Sequence, residues 1–433
     1  MIPTLVICLL TFVLVTLSIL LLPKIKIGKV NLSTYWIVAL LGAIPLLAHG
    51  YAPFTDVWKQ LTSNTAINPL KILVLFFSMT VISILLDEFG LFKYLAHLAT
   101  KKAKTNQYVL FFSLYALTSI LTIFTSNDIV ILTLTPFICF FCKRAKIKPL
   151  PYLIAEFFAA NTWSLMFLIG NPTNIYLGTA AGINFIEYFK VMAIPTLVAG
   201  LVEIGILFLL FRKTLKKPFD FIEENTKKPN RILTIVGFST IVVCLIFLII
   251  VHYINLEMYL ISLICAVFLS LFTLFYLLIK KQKLEPLKNS FERLPYQLIP
   301  FFLSMFVIVV SLNHQGITNE ISKFLGTTNV IFTYGYSSFV VCNLINNIPM
   351  SILYSGVSSS LSGSIFYEAT YASIVGSNIG AFLTPIGALA GIMFTNLVNK
   401  QEIEFKFIDF IKYGVIVSLP TITVALLMLQ LFI

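Results

Sequence analysis

Charge is what this chain has least of. Of its 433 residues only 11% are Asp, Glu, Lys or Arg, 58% are apolar, and the mean hydropathy is +0.96. Soluble domains carry about a quarter charged residues, so the composition excludes a soluble enzyme and a nucleic-acid binder. Cysteine is equally scarce: Cys8, Cys139, Cys142, Cys244, Cys265 and Cys342 all lie in apolar stretches, which excludes a secreted disulfide scaffold. Cys139 and Cys142 form a CxxC without the second pair a zinc site requires, and read as small apolar packing residues. The four histidines are scattered, so no metal site is expected. A GxxxxGK(S/T) phosphate loop and an HExxH are both missing, as is any Ser–Lys or paired-Asp arrangement at mid-span. Neither an intramembrane enzyme nor a resident cofactor is expected.

What the chain has in abundance is apolar runs of about 20 residues, each long enough to cross a bilayer as a helix. They fall near 2–23, 34–52, 71–90, 107–124, 128–142, 151–180, 191–211, 232–251, 258–279, 298–313, 329–345, 346–357, 368–398 and 413–432. This is the pattern of an all-α polytopic membrane protein embedded in the lipid bilayer. Segment 2–23 has no basic n-region and no small-residue cleavage site, so it reads as a retained span. The stretches around 124–142 and 343–357 are short and interrupted by polar residues. Those at 151–180 and 368–398 are too long for one span and carry Gly, Pro and Asn midway. Unpaired backbone groups are costly in lipid, so such breaks survive only inside protein or against a wet cavity.

The net charge is +12, and 23 of the 30 Lys and Arg residues lie in five loops, 24–29, 93–104, 143–148, 212–231 and 280–293. Basic residues collect in cytoplasmic loops, so the excess reads as topology rather than as a polyanion site. The N-terminus is then predicted outside, together with 53–70 and the loops near Lys190 and Lys323, in a multi-pass plasma-membrane protein.

The chain also matches itself. Phe76-Phe77-Ser78-Met79-Thr80-Val81-Ile82 resembles Phe302-Leu303-Ser304-Met305-Phe306-Val307-Ile308, and the register continues through Leu86/Leu312 to Gly90/Gly316. Asn127-Asp128 answers Asn346-Asn347, Ala160-Asn161 answers Ser377-Asn378, and Ile169-Gly170 answers Ile386-Gly387. Glu187, Lys190, Pro195 and Thr196 answer Asp409, Lys412, Pro420 and Thr421. Chance similarity between Leu-, Ile- and Phe-rich helices explains one such match, not a series in the same order. An odd number of spans separates the two starts, so the second copy is inverted. Two inverted-topology repeats, with discontinuous helices or re-entrant hairpins meeting at the midplane, are the architecture of secondary transporters. The predicted organisation is N-terminal spans at 1–69, a first transport repeat at 70–212, basic linkers with two connecting spans at 213–297, and a second transport repeat at 298–433.

In such folds the substrate sits where the broken helices converge. The predicted substrate-binding residues are Thr125, Ser126, Asn127, Asn161 and Thr162, then Gly170, Asn171, Pro172, Thr173 and Asn174. In the second repeat they are Asn346, Asn347, Pro349, Ser377, Asn378, Gly380, Thr384, Pro385 and Gly387. Gly and Pro free backbone groups, half-helix N-termini carry partial positive charge, and Asn, Ser and Thr supply neutral donors and acceptors. Small polar residues also pack helices together in membranes. That reading suffices for one Ser or Thr, but not for matched Asn-rich breaks. Ionisable residues within spans are functional candidates. Asp128, whose repeat partner is neutral Asn347, and Glu156, about a turn and a half before Asn161, are the predicted carriers of a coupling ion, H+ or Na+. The alternative for Glu156 is an interfacial pair with Lys146 or Lys148. Asp87 and Glu88 read as a helix cap or as partners of Lys93. Ser63-Asn64-Thr65 lies in a polar loop and is set aside.

These residues resemble the ion transporter superfamily and, within it, the bacterial arsenical pump (ArsB-type) family, over nearly the whole chain. Leu85-Leu86-Asp87-Glu88-Phe89-Gly90-Leu91-Phe92 is similar to that family's acidic segment after its third helix. Thr125-Ser126-Asn127-Asp128 with Leu134-Thr135-Pro136 is similar to its first substrate-region motif. Asn346-Asn347-Ile348-Pro349 and Thr384-Pro385-Ile386-Gly387-Ala388-Leu389-Ala390 are similar to its second-half motifs. The resemblance implies arsenite or antimonite efflux, driven by proton exchange or by a separate ATPase subunit, and it admits a homodimer. Three positions depart from the pattern: Asn161 and Asn378 stand where the family usually has Asp, and Phe382 where it often has Lys. Gly170-Asn171-Pro172-Thr173-Asn174 resembles instead the dicarboxylate and general anion permeases of the same superfamily. The expected function is secondary active transport of a small oxyanion or metalloid acid by alternating access. Sodium- or proton-coupled di- or tricarboxylate (citrate-like) or other anion transport is the alternative. A channel shares the polar breaks but predicts conductance without counter-transport.

Overall fold

The computed structural model describes residues 1–22, 24–27, 30–64, 68–219, 228–251, 256–401, 403 and 407–433; Lys29, Thr65 and Lys227, named or counted above, lie outside them. The first half runs α1 (Ile2–Leu21), strands β1 (Lys24–Ile27) and β2 (Val30–Ser33), α2 (Thr34–Ala48), α3 (Phe54–Thr62), α4 (Pro69–Glu88) and α5 (Leu91–Ala103). It continues with α6 (Gln107–Phe124), α7 (Asn127–Arg144), α8 (Leu150–Trp163), α9 (Pro172–Ala180) and α10 (Phe185–Leu215). The second half runs α11 (Arg231–Ile250), α12 (Met258–Ile279), α13 (Glu285–Glu292), α14 (Leu298–His314) and α15 (Ile317–Leu325). It ends with α16 (Val330–Ile345), α17 (Asn347–Ser358), α18 (Ser364–Gly380), α19 (Leu389–Lys400) and α20 (Phe407–Phe432). The one departure from an all-helical chain among the described residues is the small antiparallel β1–β2 hairpin, which pairs Lys24 with Ser33.

The same succession of helices occurs twice. Two apolar helices, a short amphipathic one and a span lead in each half to Gly90 or Gly316, at φ +89° and +73°. A left-handed turn of this kind suits glycine because it has no Cβ to clash. It folds the chain from α4 into α5, and from α14 into α15 across a bend of 79°. The correspondence therefore extends over the N-terminal helices of each half, beyond the segments whose sequences match.

Fourteen apolar windows do not become fourteen spans. Among the described residues α1, α4, α6, α10, α11, α12 and α20 are long and apolar enough to cross a membrane, and α14 with α15 makes an eighth candidate. The remaining apolar segments are the pieces that break. Gln107 at the start of α6 donates to the Lys217 carbonyl, Tyr152 near the start of α8 donates to Gln107, and Phe141 near the end of α7 packs on Phe219. The start of α6, the end of α7 and the start of α8 thus share one face. The tip between α6 and α7 reaches only the last turn of the short α8, where Asn127 donates to Asn161. The α6–α7 pair is therefore a re-entrant hairpin, although α6 alone is long enough to cross. The 14 residues of α8 reach only about 21 Å at 1.5 Å per residue, short of the roughly 30 Å hydrocarbon core. The crossing is completed by α9 after a break at 164–171. In the second half α16–α17 is the hairpin, with Tyr334 against Tyr354, and α18–α19 is the broken span.

Inversion is visible at the ends of α4 and α14. The end of α4 meets the end of α13, five residues before the start of α14, where Arg293 Nη1 lies 2.7 Å from Asp87 and 2.6 Å from Glu88. Near the other end of α14, His314 lies 3.5 Å from Asp56 of α3, which precedes α4. Asp87 and Glu88 are therefore clasped by Arg293 and not by Lys93. Two carboxylates on one guanidinium raise the Arg293 pKa above its ordinary value, outweighing the opposing effect of its burial.

The leading hairpins are exchanged between halves. Helix α2 packs along α14, with Tyr35 edge-on to Phe301 at 5.0 Å, and α1 reaches α16 through Thr16 Oγ1 to the Leu344 carbonyl. Helices α11 and α12 pack on α4, where Lys71 pairs with Glu257 at 2.5 Å. The six cysteines are all buried and unpaired.

Candidate functional site

The last turns of α8 and α18 face each other across the centre of the protein. In each, an asparagine donates its amide to the carbonyl one turn earlier: Asn161 to Phe157 at 2.8 Å and Asn378 to Ile374 at 2.9 Å. Their carbonyl oxygens have different partners. Asn378 Oδ1 receives Ser164 Oγ at 2.8 Å and Asn171 Nδ2 at 2.9 Å, while its Nδ2 donates to Asn174 Oδ1 at 2.6 Å. Among the described residues Asn161 Oδ1 receives only Asn127, at 3.2 Å. These six side chains are buried, and they join both repeats through amides and a hydroxyl. Asn171 also caps α9, receiving the Thr173 backbone N–H and hydroxyl, with Pro172 at the first helical position where its missing N–H costs nothing. Gly170 passes so close to the Ser164 carbonyl that an added Cβ would lie 2.3 Å from it.

A second cluster belongs to repeat two alone. Asn346 donates to the Ile386 carbonyl and the Asn347 N–H to the Gly387 carbonyl, both at 2.9 Å. Asn343 receives the Thr384 N–H and hydroxyl and donates to Gly380 at 3.0 Å. The amides of the α16–α17 tip thereby tie down the break that contains Thr384, Pro385 and Gly387. Asn346 alone forms that tip, at φ +74°, ψ 154°, a region nearly restricted to glycine and costing roughly 1–3 kcal/mol. Thr125 and Ser126 share the corresponding turn in repeat one, both at ordinary negative φ. Counted from the N-caps Ser126 and Asn346, Asn127 stands opposite Asn347, so the register expected from sequence is one residue out at the tips. Pro349 lies in the first turn of α17, and the buried Ser377 hydroxyl has no partner among the described residues.

The predicted ion carriers separate. Asp128, in the first turn of α7, is half-buried and lines a cavity of about 320 Å³ between α7, α19, α14 and the start of α2. Lys24, Lys400, Asn396 and Tyr35 also line it, so it opens toward the face that carries the basic loops. Glu156 is 1% exposed and accepts the Thr135 hydroxyl of α7 at 3.0 and 3.1 Å. Its interfacial pairing with Lys146 or Lys148 is not formed. Phe382 is buried and stacked on Phe158 at 4.5 Å, so an apolar wall stands where the resemblance had led one to look for a lysine.

Thr162 turns away from Asn161 and donates to Glu203 of α10. Glu203 and its second donor Tyr115 escaped the sequence reading. The available signal was a carboxylate at the middle of a 31-residue apolar helix whose other acid, Glu187, lies in its first turn.

Paired inverted halves, re-entrant hairpins and broken spans meeting at a polar centre define a membrane transporter. The citrate transporter family model (CitMHS) matches residues 19–369, and the chain belongs to that family. The arsenical pump membrane protein of Escherichia coli K12 is 25% identical over 413 residues, covering 91% of this chain and 92% of that protein. Its counterpart in Yersinia enterocolitica is 25% identical, covering 93% and 94%. The crystal structure of the Alcanivorax borkumensis YdaH transporter shares the fold, with a TM-score of 0.50 at 13% identity, over 99% of this chain and 97% of that one.

Proposed function

We propose that this transporter exports a small metalloid acid of the arsenite or antimonite kind by proton-coupled alternating access. The observation that carries the reading is the chemistry of the central cluster. Asn127, Asn161, Ser164, Asn171, Asn174 and Asn378 offer neutral donors and acceptors, and among the described residues no Lys, Arg or His bonds to them. Arsenious acid at neutral pH is an uncharged trihydroxy molecule, able to donate and accept at every oxygen. A citrate-like polyanion would find no cation bonded within the central cluster, where half-helix N-termini are what could offset its charge; Lys24 and Lys400 lie in the separate Asp128 cavity. The arsenical pump relatives support the first reading, and the family's description supports the second, sodium- or proton-coupled carboxylate uptake.

In this scheme the flexing elements are the two breaks, with Gly170, Pro172, Gly380, Pro385 and Gly387 shaping them. Asp128, at a cavity open to water, exchanges a proton with the face of the basic loops, and Glu156 is the second carrier. Coupling to ATP would need a separate subunit, because the chain has no phosphate loop.

Purified protein in liposomes tests this, with arsenite and citrate each offered under imposed proton or sodium gradients. Arsenite movement driven by the proton gradient, lost in Asp128→Asn, is the expected result. Sodium-driven citrate uptake without arsenite flux would overturn it.

A further inference from the structure

Asp128 and Glu156 are not the only carboxylates at depth. Glu203 of α10 is 0% exposed. Its Oε1 lies 2.9 Å from the Tyr115 hydroxyl of α6, and its Oε2 accepts the Thr162 hydroxyl of α8. Tyr115 Oη also lies 2.8 Å from the Gly200 carbonyl and accepts Trp163 Nε1 at 3.1 Å. Among the described residues no Lys, Arg or His forms an ion pair with Glu203. Tyr115 is the titratable side chain bonded to it. Helix α20 packs along α10 but carries its titratable groups Asp409, Lys412 and Tyr413 near its start. Tyr413 meets Phe211 at 5.1 Å, about 12 Å along the helix from Glu203. Helix α11 offers only Arg231, at its first residue, and Cys244.

The four partners have a complete hydrogen-bond pattern in either charge state of Glu203. With the carboxylate ionised, Tyr115 and Thr162 both donate to it. With a proton on Oε1, Glu203 donates to Tyr115 Oη, and Tyr115 turns its single hydrogen to the Gly200 carbonyl. Trp163 donates to Tyr115 in both. Buried polar groups that keep a partner throughout avoid the penalty of an orphaned donor or acceptor. A purely structural role would not need this. Counted from the matched Pro195 and Pro420, repeat two has Met428 opposite Glu203.

We infer that Glu203 is a proton-binding site distinct from the Asp128 cavity, linked to the broken span through Thr162. Its linkage to cargo rests on the proton-coupled reading above. The proton comes from water and returns to it as α8 moves, so only one O–H bond forms and breaks. Ionised, Glu203 holds the last turn of α8 by a charge-assisted bond to Thr162, next to Asn161. Neutral, it holds that turn more weakly.

Infrared spectroscopy of the full chain in lipid, without substrate, reads the protonation directly. The wild-type minus Glu203→Gln difference should contain a protonated-carboxyl band that appears as the pH is lowered. A band absent, or present unchanged at every pH, would overturn the proposal. Should Glu203→Gln fail to fold, Thr162→Val removes one donor and must shift the frequency of the pH-dependent band; an unmoved band counts against Glu203. In liposomes, Glu203→Gln should lower proton-driven arsenite flux about tenfold or more, within the range of site–site coupling, while sparing arsenite–arsenite exchange at zero gradient. Loss of both, or of neither, overturns the linkage to transport. If the wild type moves no arsenite, the metalloid reading fails, while the infrared result still decides the proton site.

Discussion

The first broken span carries Asn161, Ser164, Asn171 and Asn174, and at constant spacing the second carries Asn378, Ala381, Ala388 and Gly391. The acids divide in the same way. Asp128, Glu156 and Glu203 of the first repeat stand opposite Ile348, Ser373 and Met428 of the second, when register is counted from the nearest shared cap, asparagine or proline. A duplicated backbone has thus kept its breaks and lost its chemical symmetry. Repeat one supplies the polar arms and the carboxylates, and repeat two supplies Asn378, on which three of those arms converge.

The division can be broken most sharply at that point. Asn378→Ala strands the Asn171 amide Nδ2 and the Asn174 Oδ1 in a buried site, at roughly 1–3 kcal/mol for each unsatisfied group, while Ser164 keeps its bond to the Asn161 carbonyl. Asn161→Ala releases only Asn127. Thermal unfolding in detergent should show a much larger loss for the first, and substrate flux should vanish with it. The clasps between halves provide the next contrast. Arg293→Ala leaves Asp87, only 4% exposed at its side chain, without its cation. The expected loss is about 3–5 kcal/mol, measurable by denaturation. Because the Arg293 pKa is raised, its contribution is complete below the unfolded value and is lost only in strong base, so basic titration across the working range should not loosen this clasp.

Asn346 tests the hairpin tips. Asn346→Gly relieves the left-handed strain while giving up the side-chain bonds, so it should be better tolerated than Asn346→Ala, which keeps the strain and also loses the bonds, by about 1 kcal/mol. No such difference is expected between glycine and alanine at Ser126. Smallest is His314→Ala, since its pairing with Asp56 is half exposed on both sides; a change of about 0.5 kcal/mol or less is expected in the same unfolding assay.

The repeat and its breaks were legible because asparagine, glycine and proline are conspicuous inside apolar runs, and the family resemblance rested on those same residues. Which pieces re-enter and which cross was not. That depends on which ends share a face, and Gln107 finds its carbonyl at Lys217, more than a hundred residues away. Lys93 seemed the natural partner of Glu88 for the same reason: proximity in sequence hides Arg293, which the inversion brings alongside. Glu203 was masked by its setting. One carboxylate barely alters the hydropathy of a 31-residue helix, and its meaning lies in Tyr115 and Thr162 on two other helices.

The exchanged leading hairpins also bear on how the molecule comes to exist. Helix α4 leaves the ribosome long before its neighbours α11 and α12, so the newly inserted first half waits in the bilayer with an unfilled side until the second half arrives. Biogenesis of this protein is therefore a post-insertion assembly of two mutually dependent halves, and a chain interrupted after α10 leaves behind a membrane-resident fragment that lacks the surface against which α4 comes to rest.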